Sequence, residues 1–156
     1  IKDRFKRSMY LSAARSYLFN HVISTRIADD LFNKPLLGDC VQFVGNRSFF
    51  PLTELDQITE QRLKIREVCL TAPLWGAGEL TSELSARDYE TENLVAYKEI
   101  QMGLANNGLK QQRRPLLLLP EKFSVNWLDD QTVKVDFYLP SGCYATSVLR
   151  ELIKVA

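Results

Sequence analysis

Pro140-Ser141-Gly142-Cys143-Tyr144-Ala145-Thr146-Ser147-Val148-Leu149-Arg150-Glu151-Leu152 joins an alternating strand pattern directly to an amphipathic helix. Upstream of it, Val133, Val135, Phe137 and Leu139 share one side of a strand while Thr132, Lys134, Asp136 and Tyr138 share the other, the period-two behaviour of a pleated chain. Pro140 ends that ladder and Gly142 permits a sharp turn. Val148, Leu149 and Leu152 then recur at helical spacing, marking the buried stripe of a short helix. Tyr144 sits at the elbow, where a side chain is least committed to packing.

Working outward, Phe123, Val125 and Trp127 alternate as a second strand, and Asp129-Asp130-Gln131 turns the chain into the first, so the tail reads as strand, strand, helix. Phe137 and Trp127 are expected in the core. Adjacent Asp129 and Asp130 belong to the turn rather than to acid-base chemistry, since neighbouring side chains there point apart. A strand-strand-helix tail is too small to stand alone. Its edges call for another sheet, supplied by the rest of this chain or by strands outside it.

The remaining two-thirds is mainly helical. Ser8 offers an N-cap to a helix carrying Leu11, Ala14, Leu18 and Val22, with Ile23 and Ile27 widening the stripe. Cys40–Val44 and Ser48–Leu52 flank Gly45-Asn46-Arg47 and read as a hairpin. Thr53 caps a second helix reaching about Arg66, broken by Pro73 and Gly76-Ala77-Gly78. A further helical pattern runs from Thr81 to about Leu104 and stops at Asn106-Asn107-Gly108. Lys110-Gln111-Gln112-Arg113-Arg114 then forms a basic bridge, which places a boundary near Gln112 and divides the chain into 1–112 and 113–156. The expected class is α+β.

Composition narrows the function classes. The 156 residues are 46% hydrophobic, enough to bury the core of one domain, or of one small domain plus a fragment of another, in a chain expected to be soluble and globular. No run approaches the roughly 20 apolar residues of a membrane span, and nothing resembles a secretory signal. The first residue is Ile, so an N-terminal portion is expected to be missing. Cys40, Cys69 and Cys143 are odd in number and widely spaced, with His21 alone to assist, which argues against both a zinc site and a disulfide framework. Free cysteines fit a reducing cytoplasm. The glycines make no phosphate loop, and Cys143 lacks a histidine and acid to activate it.

The net charge of +1 conceals an asymmetry: Lys2, Arg4, Lys6, Arg7, Arg15 and Arg26 face only Asp3 in the first 26 residues, whereas Glu54–Glu99 is acid-rich. Arg15 and Arg26 lie eleven residues apart, close to three helical turns, and therefore share a face. Lys6, Arg7, Arg15, Arg26, Arg113 and Arg114 are candidates to line a phosphate track, and Trp75, Trp127, Phe137 and Tyr144 are candidate stacking platforms. The competing reading is that the cations merely solvate a helix face and the aromatics pack.

Two ordered motifs carry a more specific signal. Arg7-Ser8, Leu11-Ser12-Ala13-Ala14-Arg15-Ser16 and Phe19-Asn20, together with Leu139-Pro140-x-Gly142-x-Tyr144-Ala145-Thr146-x-x-Leu149-Arg150-Glu151-Leu152, resemble the tRNA pseudouridine synthase D family, with Gly38-Asp39, Pro73-Leu74-x-Gly76 and Trp127 also at the places that family leads one to expect. Cys143 departs from the family's Ser. The resemblance implies a mainly helical insertion domain with a small β-hairpin over 1–112, incomplete at its N-terminus, and a tail over 113–156 belonging to the sheet of a pseudouridine synthase catalytic domain.

It further implies a cytoplasmic, monomeric enzyme acting on tRNA without cofactor or metal, isomerising a D-arm uridine of the position-13 type after flipping the base out. The family's catalytic Asp lies in a Gly-x-Lys-Asp motif that does not occur here. Lys2-Asp3-Arg4 lacks the glycine, so Asp3 is not assigned that role and no catalytic residue is expected in this chain. Tyr144 matches the aromatic that packs on the target uridine. The chain is then expected to be inactive alone, to supply tRNA grip and one wall of the active site, and to have the remaining N-terminal catalytic portion of the same protein as its partner. The alternative is a stand-alone RNA-binding or protein-interaction module.

Overall fold

Helix α1 spans Arg4–Ala28 and is capped by Asp3, whose carboxylate accepts hydrogen bonds from the backbone amides of Phe5 (2.9 Å) and Lys6 (3.3 Å). The computed structural model describes residues 3–46, 48–140 and 142–153. The cap therefore stands five residues before Ser8, the position expected from sequence. Leu18, Val22 and Arg26 repeat every four residues along the buried face of α1, with Phe19 beside them, while Ile27 is exposed.

That face packs on a four-stranded antiparallel sheet in the order β2-β1-β3-β4. Strands β1 (Cys40–Phe43) and β2 (Phe49–Pro51) form the anticipated hairpin, with Val41 opposite Phe50; Arg47 of its connection lies outside the described residues. Strand β3 (Val68–Leu74) is buried at all seven positions and pairs with β1 on one edge and with β4 (Gln112–Pro115) on the other. Sequence reading anticipated neither β3 nor β4. Pro73 is tolerated because it lies past the end of β1, where only one edge of β3 is paired.

The intervening helices are shorter than the apolar spacing suggests. Helix α2 covers Gln57–Lys64 and is capped by Asp56 rather than Thr53; the Thr59 amide donates to the Asp56 carboxylate at 2.7 Å and holds its pKa below the usual carboxylate value. The single expected helix over Thr81–Leu104 is α3 (Leu84–Leu94) and α4 (Lys98–Asn106), separated by a 3-10 turn at Val95–Tyr97. Leu18, Val22, Val41, Leu70, Leu94 and Leu104 belong to the resulting core.

The chain divides into two compact units, Ile1–Leu116 and Leu117–Ala156. The division falls beyond Gln112 because β4 completes the sheet of the first unit through its pairing with β3. In the second unit, β5 (Glu121–Trp127) and β6 (Val133–Tyr138) form the expected antiparallel hairpin, with Val125 opposite Val135 and Trp127 opposite Val133. Asp129 belongs to its turn, accepting from the Gln131 amide at 2.8 Å. Helix α5 (Ala145–Leu152) follows. Trp127 is not core: it is 71% exposed, and Phe137, stacked on Phe123 at 6.0 Å, is only partly buried. Alternation marked the apolar face correctly, but a two-stranded ribbon has no second layer of its own to cover it.

Candidate functional site

In the second unit, Gly142 adopts φ +88°, a left-handed conformation open to glycine at little cost, and the Cys143 amide closes the turn by donating to the Pro140 carbonyl at 3.2 Å. The neighbouring Ser141 lies outside the described residues. Tyr144 occupies the N-cap position of α5 with extended backbone (φ -115°, ψ 128°), and the Ser147 amide donates to its carbonyl at 3.0 Å. The Tyr144 backbone is thus fixed while its side chain is 72% exposed. An exposed ring on a braced elbow is suited to stacking on a planar partner.

Six cations were candidates for phosphate contact, and the first unit separates them into three environments. Lys6 and Arg7 are exposed on the first turns of α1, with Arg7 donating to the Asn107 side-chain oxygen at 2.7 Å.

Arg26 and Arg113 are corrections, because both side chains are fully buried and neutralised. Arg26 donates to both oxygens of Asp39, at 2.9 and 2.6 Å, and also to the carbonyls of Leu31 and Lys34. Arg113 donates to both oxygens of Glu90, at 2.9 and 2.8 Å, and to the hydroxyl and carbonyl of Thr71, while Ser82 donates to Glu90 at 2.6 Å. These are interior ion pairs whose charges are satisfied by hydrogen bonds. The Arg26 position was legible after all, since it continues the Leu18-Val22 stripe. The burial of Arg113 follows from β4, which the sequence reading took for a bridge.

Arg15 and Arg114 converge instead on a cleft of about 220 Å3 within the first unit, lined by α1, Leu74 at the end of β3, Leu109 and β4. Arg15 is braced from below, donating to the carbonyls of Leu74 (2.9 Å), Trp75 (3.0 Å) and Lys110 (2.5 Å). Burial, and after it the like charge of Arg114, pulls its pKa below the ordinary arginine value. Arg114 lies over the Phe19 ring at 5.2 Å. Ser8, Ser12 and Ser16 line the α1 wall at four-residue spacing, and no acidic residue is among the lining side chains.

The other chemistry-bearing side chains have structural surroundings. His21 lies edge-on to Tyr97 at 4.8 Å, Trp75 packs partly buried against the core, and Asp3 caps α1; Lys2 lies outside the described residues. Burial raises the pKa of Cys40 and Cys69, which leaves them protonated and unreactive. Among the described residues no cluster of His, Cys, Asp and Glu could hold a metal ion, and no helix is long and apolar enough to cross a membrane.

Comparison with known proteins places this arrangement. The family model described as tRNA pseudouridine synthase D (TruD) matches residues 3–152. The chain is 46% identical over 153 residues to a protein named tRNA pseudouridine synthase D from Shewanella oneidensis, covering 98% of this chain and 41% of that one. It is 48% identical over 155 residues to the protein of the same name from Aeromonas salmonicida, covering 99% and 44%. A crystal structure bearing the family name, from Methanosarcina mazei, superposes with a TM-score of 0.64 at 29% identity, covering 90% of this chain and 36% of that one. The chain therefore spans well under half the length of the relatives it matches, yet the family pattern runs through nearly all of it. It belongs to the tRNA pseudouridine synthase D (TruD) family.

Proposed function

We propose that this chain is the C-terminal portion of a cytoplasmic, monomeric tRNA pseudouridine synthase that converts a D-arm uridine of the position-13 type to pseudouridine. Residues up to Leu116 correspond in this reading to the insertion domain that grips tRNA, and those from Leu117 to the end of the catalytic domain. Family membership supports the substrate class. The observation that carries the site assignment is the 72% exposed Tyr144 ring on a braced strand-to-helix elbow.

In the proposed mechanism Tyr144 forms one wall of the pocket for the flipped uridine. Its ring stacks on the face of the uracil, which compensates for the stacking lost on extrusion and holds the ring near the sugar while it is detached and rejoined through carbon. The attacking Asp comes from the remaining portion of the same protein, because the Gly-x-Lys-Asp motif is absent from these residues. No cofactor or metal takes part. The chain by itself then binds tRNA but is inactive.

The test is uridine conversion by the protein that carries this chain together with its upstream portion. Tyr144→Ala is expected to lower conversion roughly 5- to 150-fold, the equivalent of about 1–3 kcal/mol of base stacking, whereas Tyr144→Phe keeps the ring and most of the rate. Unchanged conversion in Tyr144→Ala would remove Tyr144 from the site.

A further inference from the structure

We infer that the cleft between α1 and the ends of β3 and β4 holds one phosphate group of a polynucleotide backbone, gripped by Arg15 and Arg114 with the hydroxyls of Ser8 and Ser12 beside them. The inference rests on the reading of this chain as an RNA-binding part of a synthase and assigns that reading a particular phosphate seat.

The fold neutralises each of two fully buried arginines, Arg26 and Arg113, with a carboxylate. Arg26 and Arg113 each receive a carboxylate with two hydrogen bonds, so neither carries uncompensated charge. Arg15 and Arg114 share one cleft whose lining contains no carboxylate. Their mutual repulsion is unfavourable in a partly desolvated site, and an anion between them would turn it into two attractions. The carbonyls of Leu74, Trp75 and Lys110 hold Arg15 in place without neutralising it.

Arg114 is placed by its strand. It lies opposite Ala72 on β4, whose register is locked by the neighbouring Arg113–Glu90 pair, and its guanidinium rests on Phe19. With Nε and Nη2 of Arg15 committed to carbonyls, its Nη1 and the Arg114 guanidinium are the donors left for a tetrahedral oxyanion, and the bracing of Arg15 leaves little of its side-chain entropy to be lost. Leu74 and Leu109 give the cleft an apolar floor that strengthens the charge interaction.

The dimensions agree with a small anion. The cleft, about 220 Å3 and partly open to solvent, has room for a phosphate group. The backbone of a polynucleotide is favoured over free phosphate because Arg7 stands exposed about two turns before Arg15 on the same helix and within about 80° of it around the axis. A strand leaving the cleft toward the start of α1 would meet it next.

Two titrations of the chain test this. Inorganic phosphate followed by 1H–15N NMR is expected to move the amides of Ser12, Ser16 and Arg114, and to do so neither in Arg114→Gln nor in Ser12→Asp, which places a carboxylate at the cleft from an exposed helix position. Binding of tRNA measured from 50 to 200 mM salt is expected to lose about one charge of salt slope in both variants, so that the wild-type advantage shrinks about threefold over that range. A phosphate response at the cleft with an unaltered tRNA slope would overturn the polynucleotide assignment. Tight tRNA binding with the cleft silent to phosphate and both variants unaffected would overturn the cleft and leave the proposed function standing. Absence of any tRNA binding by the wild-type chain would overturn both.

Discussion

Asp39 is buried, and its two oxygens meet Arg26 while one also accepts from the Leu36 amide at 2.7 Å. The pair ties the last turn of α1 to the loop that starts β1, so a single carboxylate joins helix to sheet. Removing one member of such a pair is more damaging than never having had it, because the survivor keeps its desolvation penalty. Asp39→Ala is expected to destabilise the first unit by about 3–5 kcal/mol, read as a lower urea midpoint with the slope unchanged. A midpoint within error of wild type would mean that water reaches Arg26 and that the helix-to-sheet tie is not electrostatic. Charge counted along the sequence cannot distinguish an arginine that faces a carboxylate in the core from one that faces an open cleft. The four-residue spacing Leu18-Val22-Arg26 did carry that information, whereas nothing adjacent to Arg113 pointed to Glu90, a partner 23 residues away that is brought close only by the fold.

Among the elements, the loop before β1 is tightly constrained. Gly38 has φ +85°, its amide donates to the Leu52 carbonyl at 2.9 Å, and its carbonyl accepts from the Glu83 amide at 3.0 Å. A Cβ built there would lie 2.0 Å from the Glu83 carbonyl oxygen and 2.4 Å from its carbon, both backbone atoms at the start of α3. Gly38→Ala therefore combines left-handed strain with a clash that only displacement of α3 relieves, for an expected cost of about 2–5 kcal/mol in urea melts. A variant as stable as wild type would show that the loop and α3 separate without penalty. Legibility at this scale depended on locality. The β1-β2 hairpin, α1 and the β5-β6 hairpin were visible because their periodicity and turn residues are contiguous. Strand β3 was missed because a central strand buried on both faces shows no alternation, and Pro73 looked like a breaker until β1 proved to end before it. Strand β4 was missed because two arginines and a proline have low strand propensity, and its pairing with β3 is settled by tertiary contact instead.

At the scale of the whole molecule the two units differ in what holds them. Every residue of the core cluster lies at or before Leu116, and the sheet of the first unit is complete within it. Among the described residues from Leu117 onward none is buried; Val125 is 47%, Trp127 71% and Leu152 50% exposed. The second unit thus has the alternation and helical stripe of a folded layer with too little buried apolar area to offset the conformational entropy of ordering its residues. The chain spans less than half the length of the relatives it matches, and the family's pattern nonetheless runs through these residues. The sequence therefore revealed the apolar face of the tail, but a pattern of alternation carries no record of whether the opposing layer is present. Two fragments test the distinction. Residues 1–116 are expected to unfold in one cooperative transition with dispersed amide resonances, whereas residues 117–156 are expected to show collapsed amide dispersion and no melting transition, since a two-stranded ribbon and one helix are marginal in water. Dispersed resonances in the 117–156 fragment would show that the hairpin and α5 generate their own core. Failure of 1–116 to melt cooperatively would show that its sheet needs the second unit, and either result would displace the boundary after Leu116 as a division in stability.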